Sequence, residues 1–150
     1  MLGDNRPPAI VSLVERKSQF VVLAKVENRT ADTVREAIVD SLRPIKSRVH
    51  TITFDNGHEF AGHEAIASSL GADCFFAEPY CSWQRGLNEQ VNGLIRQYIP
   101  KGKSLDNVDD ETLQFVMSRL NHRPRKTLGW KTPHQVMLAE AKKRGVALRI

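Results

Sequence analysis

Two short apolar runs begin the hydrophobic pattern of the chain. Residues 9–14 read AIVSLV and residues 20–26 read FVVLAKV, with the polar segment ERKSQ between them. Short runs rich in β-branched residues on either side of a small polar connection are typical of a hairpin. We therefore predict that these two runs are paired strands.

Helical and extended patterns alternate in the next part of the chain. Thr30 is a candidate cap for a helix that Pro44 ends. The apolar positions of this helix recur at helical spacing: Val34, Ala37, Ile38 and Leu42. Three further elements follow, namely a strand at 49–54, a helix at 63–70 with Gly71 as its stop, and a strand at 72–77.

The last part of the chain is predicted to be helical. After a loop at 78–86, helical spacing of apolar residues covers 87–99, and a second helix covers 109–121. A basic loop then leads to a last helix with Pro133 in its first turn. A hairpin followed by strand–helix alternation predicts an α/β fold, with a mixed sheet flanked by helices.

Bulk properties narrow the class of protein. The 150 residues fit one domain of ordinary size, and the net charge of +5 permits binding to a polyanion. No apolar run approaches the roughly 20 residues that span a bilayer, and the N-terminal sequence has no apolar signal core, so we expect a cytoplasmic protein without a membrane partner. Cys74 and Cys81 have no His or Cys cluster around them, which excludes a zinc site.

Asp55 has two interpretations. In TITFDNGHEF, residues 51–60, it follows a short apolar strand and precedes Asn-Gly, a common turn pair whose residues tolerate positive φ. It is either an ordinary strand-end residue or a carboxylate placed where open α/β sheets carry their chemistry. His58 and Glu59 lie close to Asp55 in sequence and are candidates for contact with a substrate.

Glu89 is the second candidate carboxylate. It follows Asp55 by 34 positions, near the predicted start of the helix at 87–99. Two such acids are suitable ligands for Mg²⁺. Taken alone, Glu89 is explained as a solvated acid that the helix dipole favours in a first turn. Asn92 and Arg96 share its helix face, and an acid beside a cation on one face suits a phosphate backbone, although ordinary helices carry such charges too. Arg85, in the preceding loop, is a candidate phosphate contact.

Aromatic and basic segments add further candidate contacts with nucleic acid. Tyr80 and Trp83 lie in the predicted loop at 78–86, where they either stack on bases or pack as a lid. The segments HRPRK at 122–126 and KKR at 142–144 are candidate backbone-contacting patches or solvated faces.

Three segments carry a resemblance: TFDNGHEF, EPYCSWQRGLNEQVNGLIRQYIPKG and LNHRPRKTLGWKTP. Together they resemble the catalytic core of bacterial transposases of the insertion-sequence-thirty family, within the integrase and RNase H-like group. The resemblance covers about Ala9 to Met137. It implies DNA cleavage and strand transfer with Mg²⁺ or Mn²⁺, insertion-sequence ends and target DNA as partners, and pairing of catalytic domains as homo-oligomers. It also implies that Asp55 and Glu89 are the last two acids of an Asp-Asp-Glu triad.

The chain departs from the family at its start, where the first acid and its central strand are expected. Asp4 is the only acid before the hairpin, with about three residues ahead of it. We therefore expect the first strand to be largely missing. The predicted organisation is a leader at 1–8 that holds a possible remnant of that strand, a core at 9–139 and a basic tail at 140–150. The chain is then either an active transposase core or a truncated, inactive remnant that retains DNA binding or self-association. A non-catalytic α/β binding domain is the third alternative.

Overall fold

The computed structural model describes residues 7–80 and 82–143, without the side chains of residues 82–85. Asp4 and most of the expected leader therefore lie outside the described residues. The strands are β1 (Ala9–Val14), β2 (Val21–Val26), β3 (Thr51–Phe54) and β4 (Asp73–Phe76). The α-helices are α1 (Ala31–Leu42), α2 (His63–Leu70), α3 (Ser82–Ile95), α4 (Asp110–Asn121) and α5 (Pro133–Lys143). Short 3₁₀ segments cover Arg43–Arg48, His58–Phe60 and Lys126–Leu128.

The strands pair as two two-stranded sheets. β1 pairs with β2, and their connection is too short for a parallel crossover, so the predicted hairpin is confirmed. β3 pairs with β4 in parallel, in the register Ile52 to Cys74 and Phe54 to Phe76. A single mixed sheet was expected. Among the described residues, the two strand pairs are not joined by backbone hydrogen bonds into one sheet. The strand expected to join them precedes β1, and residues 1–6 lie outside the described part.

The described residues divide into two compact units, the first comprising residues 7–11 and 24–85, and the second residues 12–23 and 86–143. In the first unit, α1 buries Val34, Ile38 and Leu42 and packs against α2. α2 ends at Gly71, whose φ of 64° lies in the left-handed region that glycine tolerates. The predicted bounds of α2 and its glycine stop are confirmed.

The start of α1 is fixed by a side-chain cap. Thr30 accepts a hydrogen bond from the backbone N–H of Thr33 through Oγ1, at 3.3 Å, and its hydroxyl donates to Asn28 Oδ1, at 2.8 Å. An N-cap satisfies one of the backbone donors that the first helical turn leaves unpaired. The predicted cap is therefore confirmed.

Replacing Thr30 by alanine is expected to lower the free energy of unfolding by about 1 kcal/mol, because the first turn of α1 loses its acceptor. Urea denaturation measures the change. Thr30→Ser, which keeps the hydroxyl, is the matched control and should lose much less. Equal losses in the two variants would contradict a capping role.

The second unit has a core of helix side chains around the β1–β2 turn. α4 buries Leu113, Val116 and Leu120, and α5 buries Met137 and Ala141. α5 continues through Lys143, and Glu140 within it pairs with Lys17 at 3.1 Å. Residues 140–143, expected to begin a tail, are therefore helical, while the division of the chain into leader, core and tail stays a prediction.

A buried asparagine joins α4 to β2. Asn121, 4% exposed, accepts from the backbone N–H of Val21 at 2.8 Å and donates through Nδ2 to the Val21 carbonyl at 2.9 Å. The side chain thus satisfies both backbone polar groups of one strand residue, as a neighbouring strand would. No helix in the described ranges is long and apolar enough to cross a membrane.

Candidate functional site

Asp55 is the first residue after β3 and is exposed to solvent. The parallel pairing puts the carboxyl ends of β3 and β4 at one edge, where Ala77 N donates to Phe54 O at 2.8 Å. Because open α/β sheets bind ligands at the carboxyl ends of their strands, this is a favourable place for a reactive carboxylate. The structure therefore places Asp55 at the predicted strand end.

The turn after β3 fixes the Asp55 side chain. Oδ1 of Asp55 accepts a hydrogen bond from the backbone N–H of Gly57 at 3.1 Å. Asn56 donates through Nδ2 to the Ala77 carbonyl at 3.1 Å, which ties the turn to the end of β4. One carboxylate oxygen of Asp55 thus orients the side chain, in the manner of an Asx turn, and the other is not used by this bond.

Gly57 lies in the turn beside the carboxylate of Glu59. Its φ is −73°, so the turn does not use the positive φ that glycine tolerates. A Cβ on Gly57 would lie 2.6 Å from the carboxylate carbon of Glu59. That carboxylate is the mobile end of a flexible side chain, so this distance does not require glycine. It shows that the Glu59 carboxylate lies over the turn, beside the backbone two residues from Asp55.

Aromatic packing supports this edge of the sheet. The Phe54 ring stacks on Phe60 at 4.9 Å between centroids and contacts Phe76 at 5.8 Å. His63, at the start of α2, meets Phe76 edge-on at 4.9 Å. The cluster joins β3, β4 and the helix that follows the turn, so Asp55 sits on a packed support. Phe60 thus packs on the buried ring of Phe54.

Glu89 lies in the middle of α3, because the helix begins at Ser82 rather than at the predicted residue 87. The loop predicted at 78–86 is thus shorter, and Trp83 belongs to the helix. Gly86 and the polar run before it favoured a loop, but the cost of one helical glycine, about 1 kcal/mol, is outweighed by the rest of α3. Glu89 is exposed, and an explanation as a first-turn acid no longer applies.

Glu89, Asn92 and Arg96 share one face of α3. The helical bonding continues past Ile95, since Arg96 N donates to Asn92 O at 3.1 Å. Val91 and Ile95 are buried, whereas Glu89 and Arg96 are exposed. Asn92 is half-buried, and its Oδ1 accepts from Ser12 Oγ at 2.9 Å, so this residue also connects α3 to β1.

The remaining candidate residues, Tyr80, Trp83 and Arg85, have few described contacts. Tyr80 is 97% exposed and has a φ of 64°. Because it is not packed as part of a lid, its ring is accessible for stacking. The side chains of Arg85 and Trp83 lie outside the described residues, so their roles stay predictions.

The described side chains include no complete cluster of metal ligands. Across residues 7–80 and 82–143, no three His, Cys, Asp or Glu side chains form a metal-binding group. Asp55 and Glu89 are carboxylates, and Mg²⁺ needs only one or two of these with water and phosphate oxygens. Burial and the neighbouring Asp73 raise the pKa of the Cys74 thiol, so Cys74 stays protonated at neutral pH.

Known proteins similar to this chain are transposases and an integrase core. The chain is 44% identical over 135 residues, 90% of its length, to the transposase for insertion sequence element IS4351 of Bacteroides fragilis, and 39% identical over 149 residues, 99% of its length, to transposase InsI for insertion sequence element IS30A of Escherichia coli K12. It spans 41% and 38% of those proteins. No protein-family model matches.

The fold is similar to that of the catalytic core domain of BIV integrase. The TM-score is 0.66 with 21% sequence identity, over 90% of this chain and 88% of that one. The predicted α/β, RNase H-like fold class is therefore confirmed. The chain is therefore homologous to IS30-family insertion-sequence transposases, over about two fifths of their length.

Proposed function

We propose that this chain is the catalytic region of a transposase that cleaves DNA strands at insertion-sequence ends and transfers them to target DNA. The observation that carries the proposal is the exposed Asp55 carboxylate, oriented by its turn at the carboxyl end of a parallel strand. The sequence likeness to transposases over nearly the whole chain supports the same reaction.

In this proposal Asp55 and Glu89 hold Mg²⁺ or Mn²⁺ as carboxylate ligands. A divalent ion held there would supply stabilisation of negative charge on phosphate oxygens and activation of an attacking hydroxyl. Hard oxygen donors suit these ions, and both side chains are exposed to solvent. The role of Asp55 itself is to present a carboxylate whose orientation is set before any ligand binds.

DNA is the proposed partner of the exposed face of α3. Arg96 supplies a positive charge two turns from Glu89, which suits a phosphate beside the reacting bond. Asn92 and Arg85 are proposed as further backbone contacts. Asn92 already uses its Oδ1 with Ser12, so its amide nitrogen is the group that would donate to a phosphate. We also propose that the chain self-associates, as paired DNA ends require.

Mn²⁺ titration of the purified chain, followed by its melting temperature, tests metal binding. A ligand at about 100 times its Kd stabilises a protein by about 2.7 kcal/mol, which corresponds to a rise of about 5–10 °C for this size. Nicking of supercoiled plasmid with Mn²⁺, compared with the same reaction in EDTA, tests the chemistry. We expect both signals.

A folded chain that shows no rise in melting temperature and no metal-dependent nicking would overturn the catalytic proposal. Salt-dependent DNA binding that persists in such a chain would identify it as an inactive remnant. Loss of DNA binding as well would favour the α/β binding domain with accidental acids.

A further inference from the structure

The loop between α4 and α5, residues 122–132, presents an exposed indole. Trp130 is 69% exposed and has a φ of 67°, a left-handed conformation that bulky residues rarely adopt. Burial of a tryptophan is among the largest gains that one side chain offers, and left-handed backbone is unfavourable at such a residue. Folding stability alone therefore does not explain a tryptophan at this position.

The backbone around Trp130 is closed by hydrogen bonds. Trp130 N donates to Arg125 O at 2.9 Å, and Arg125 N donates to Lys131 O at 3.0 Å. Thr127 is held from the β1–β2 turn by Gln19 Nε2 at 2.8 Å. The loop is thus anchored on both sides, and the indole is held outward by ordered backbone.

Arg125 is a buried residue of this loop and connects it to the end of α4. It is 8% exposed, and its guanidinium reaches the Leu120 carbonyl at 3.5 Å. Burial, and the charge of Arg123, lower the pKa of Arg125. A buried cation that supports a basic loop adds positive charge beneath the exposed surface.

The loop and its flanks have no acidic residue. Between Glu111 and Glu140 the sequence contains no Asp or Glu, and it contains five cations: Arg119, Arg123, Arg125, Lys126 and Lys131. Arg123, Lys126 and Lys131 are exposed, and no ion pair involves them within the part of the chain that the structure describes. A surface of this kind attracts a polyanion rather than an apolar or basic protein partner.

We propose that the α4–α5 loop is a DNA-binding element in which Trp130 stacks on an unpaired base while Arg123, Lys126 and Lys131 contact the neighbouring phosphates. An aromatic platform flanked by cations is how proteins bind single-stranded nucleic acid without reading its sequence. That the polyanion is DNA rests on the proposed function. The loop would then hold strand ends or distorted segments, where bases are unpaired.

Tryptophan fluorescence tests the stacking directly. The chain has two tryptophans, Trp83 and Trp130, so the Trp83→Phe variant reports on Trp130 alone. Titration with a short oligothymidylate should quench this fluorescence, and a fully paired duplex of equal length should quench it less. Fluorescence that is unchanged while the oligonucleotide binds would overturn the proposal.

Substitutions separate binding from folding. Trp130→Ala should weaken oligothymidylate binding about 10-fold, since stacking contributes about 1–3 kcal/mol per base. Trp130→Gly should weaken it equally while leaving the melting temperature unchanged or higher, because glycine tolerates the left-handed backbone. Trp130→Phe should retain most of the affinity. Phe115→Ala, which removes another exposed aromatic ring from the same unit, is the matched control.

The outcomes distinguish this inference from the proposed function. Wild-type affinity in Trp130→Ala and Trp130→Gly, with salt-dependent DNA binding intact, would overturn the inference alone. Equal losses in the Phe115 variant would overturn it too, because the effect would not be specific to the loop. No binding of any DNA by the wild-type chain would overturn both.

Discussion

Replacing Asp55 by asparagine is expected to abolish the Mn²⁺-dependent rise in melting temperature and to lower metal-dependent nicking by about 10³-fold or more. Loss of a charged ligand removes several kcal/mol of transition-state stabilisation by the metal. The amide oxygen of asparagine still accepts from Gly57 N, so the turn after β3 should persist. The fold without metal should therefore be unchanged, as circular dichroism and the metal-free melting temperature would show.

Asp73→Asn is the matched control for this substitution. Asp73 is an exposed aspartate in the same unit, but it is the first residue of β4 and pairs with Thr51 at the opposite end of the two strands. Because it lies at the amino end, it should leave both metal-dependent signals intact. Full nicking activity in Asp55→Asn, or an equal loss in the control, would remove Asp55 from the proposed site.

Replacing Asn121 by alanine is expected to lower the free energy of unfolding by about 2–5 kcal/mol. The substitution leaves the N–H and the carbonyl of Val21 without their side-chain partners in a buried place, and each unsatisfied group costs about 1–3 kcal/mol. Urea denaturation measures the loss. A change below about 1 kcal/mol would show that water replaces the amide and that the contact is not required.

Two variants control for the loss at Asn121. Asn107→Ala removes an exposed asparagine from a loop of the same unit and should change stability by less than about 0.5 kcal/mol. Asn121→Asp keeps the shape and the acceptor for Val21 N but loses the donor for the Val21 carbonyl. It should therefore be destabilised as well, and more so at neutral pH, where its buried carboxylate would have to carry a charge.

The proposed loop contact and the proposed metal site depend on different residues and give different measurements. Trp130 variants should alter binding of unpaired DNA without changing the metal-dependent rise in melting temperature. At equal salt concentration, Asp55→Asn should remove the metal-dependent rise in melting temperature without changing the binding of unpaired DNA. These two results would assign substrate binding and chemistry to separate parts of the chain.

The sequence by itself determined most of the local elements and the family resemblance. The Thr30 cap, the bounds of α2 and its stop at Gly71 depend on residues within a few positions of one another, so their signals are readable in the chain. The same holds for the β1 and β2 runs, whose periodicity and short connection specify a hairpin. The position of Asp55 at a strand end was likewise predictable, because the strand and its turn are adjacent in sequence.

Only the tertiary structure decided the features that depend on residues far apart in the sequence, or in which the fold overrides a local preference. Asn121 bonds to Val21, 100 positions away, and no local pattern indicates that pairing. The helix α3 begins at Ser82 despite the low helix propensity of Gly86, and the Glu59 carboxylate lies over Gly57. Neither feature is indicated by the local sequence pattern. The exposure of Trp130 is also a tertiary result, because hydrophobicity alone would bury it, whereas the closed, anchored loop holds it in solvent.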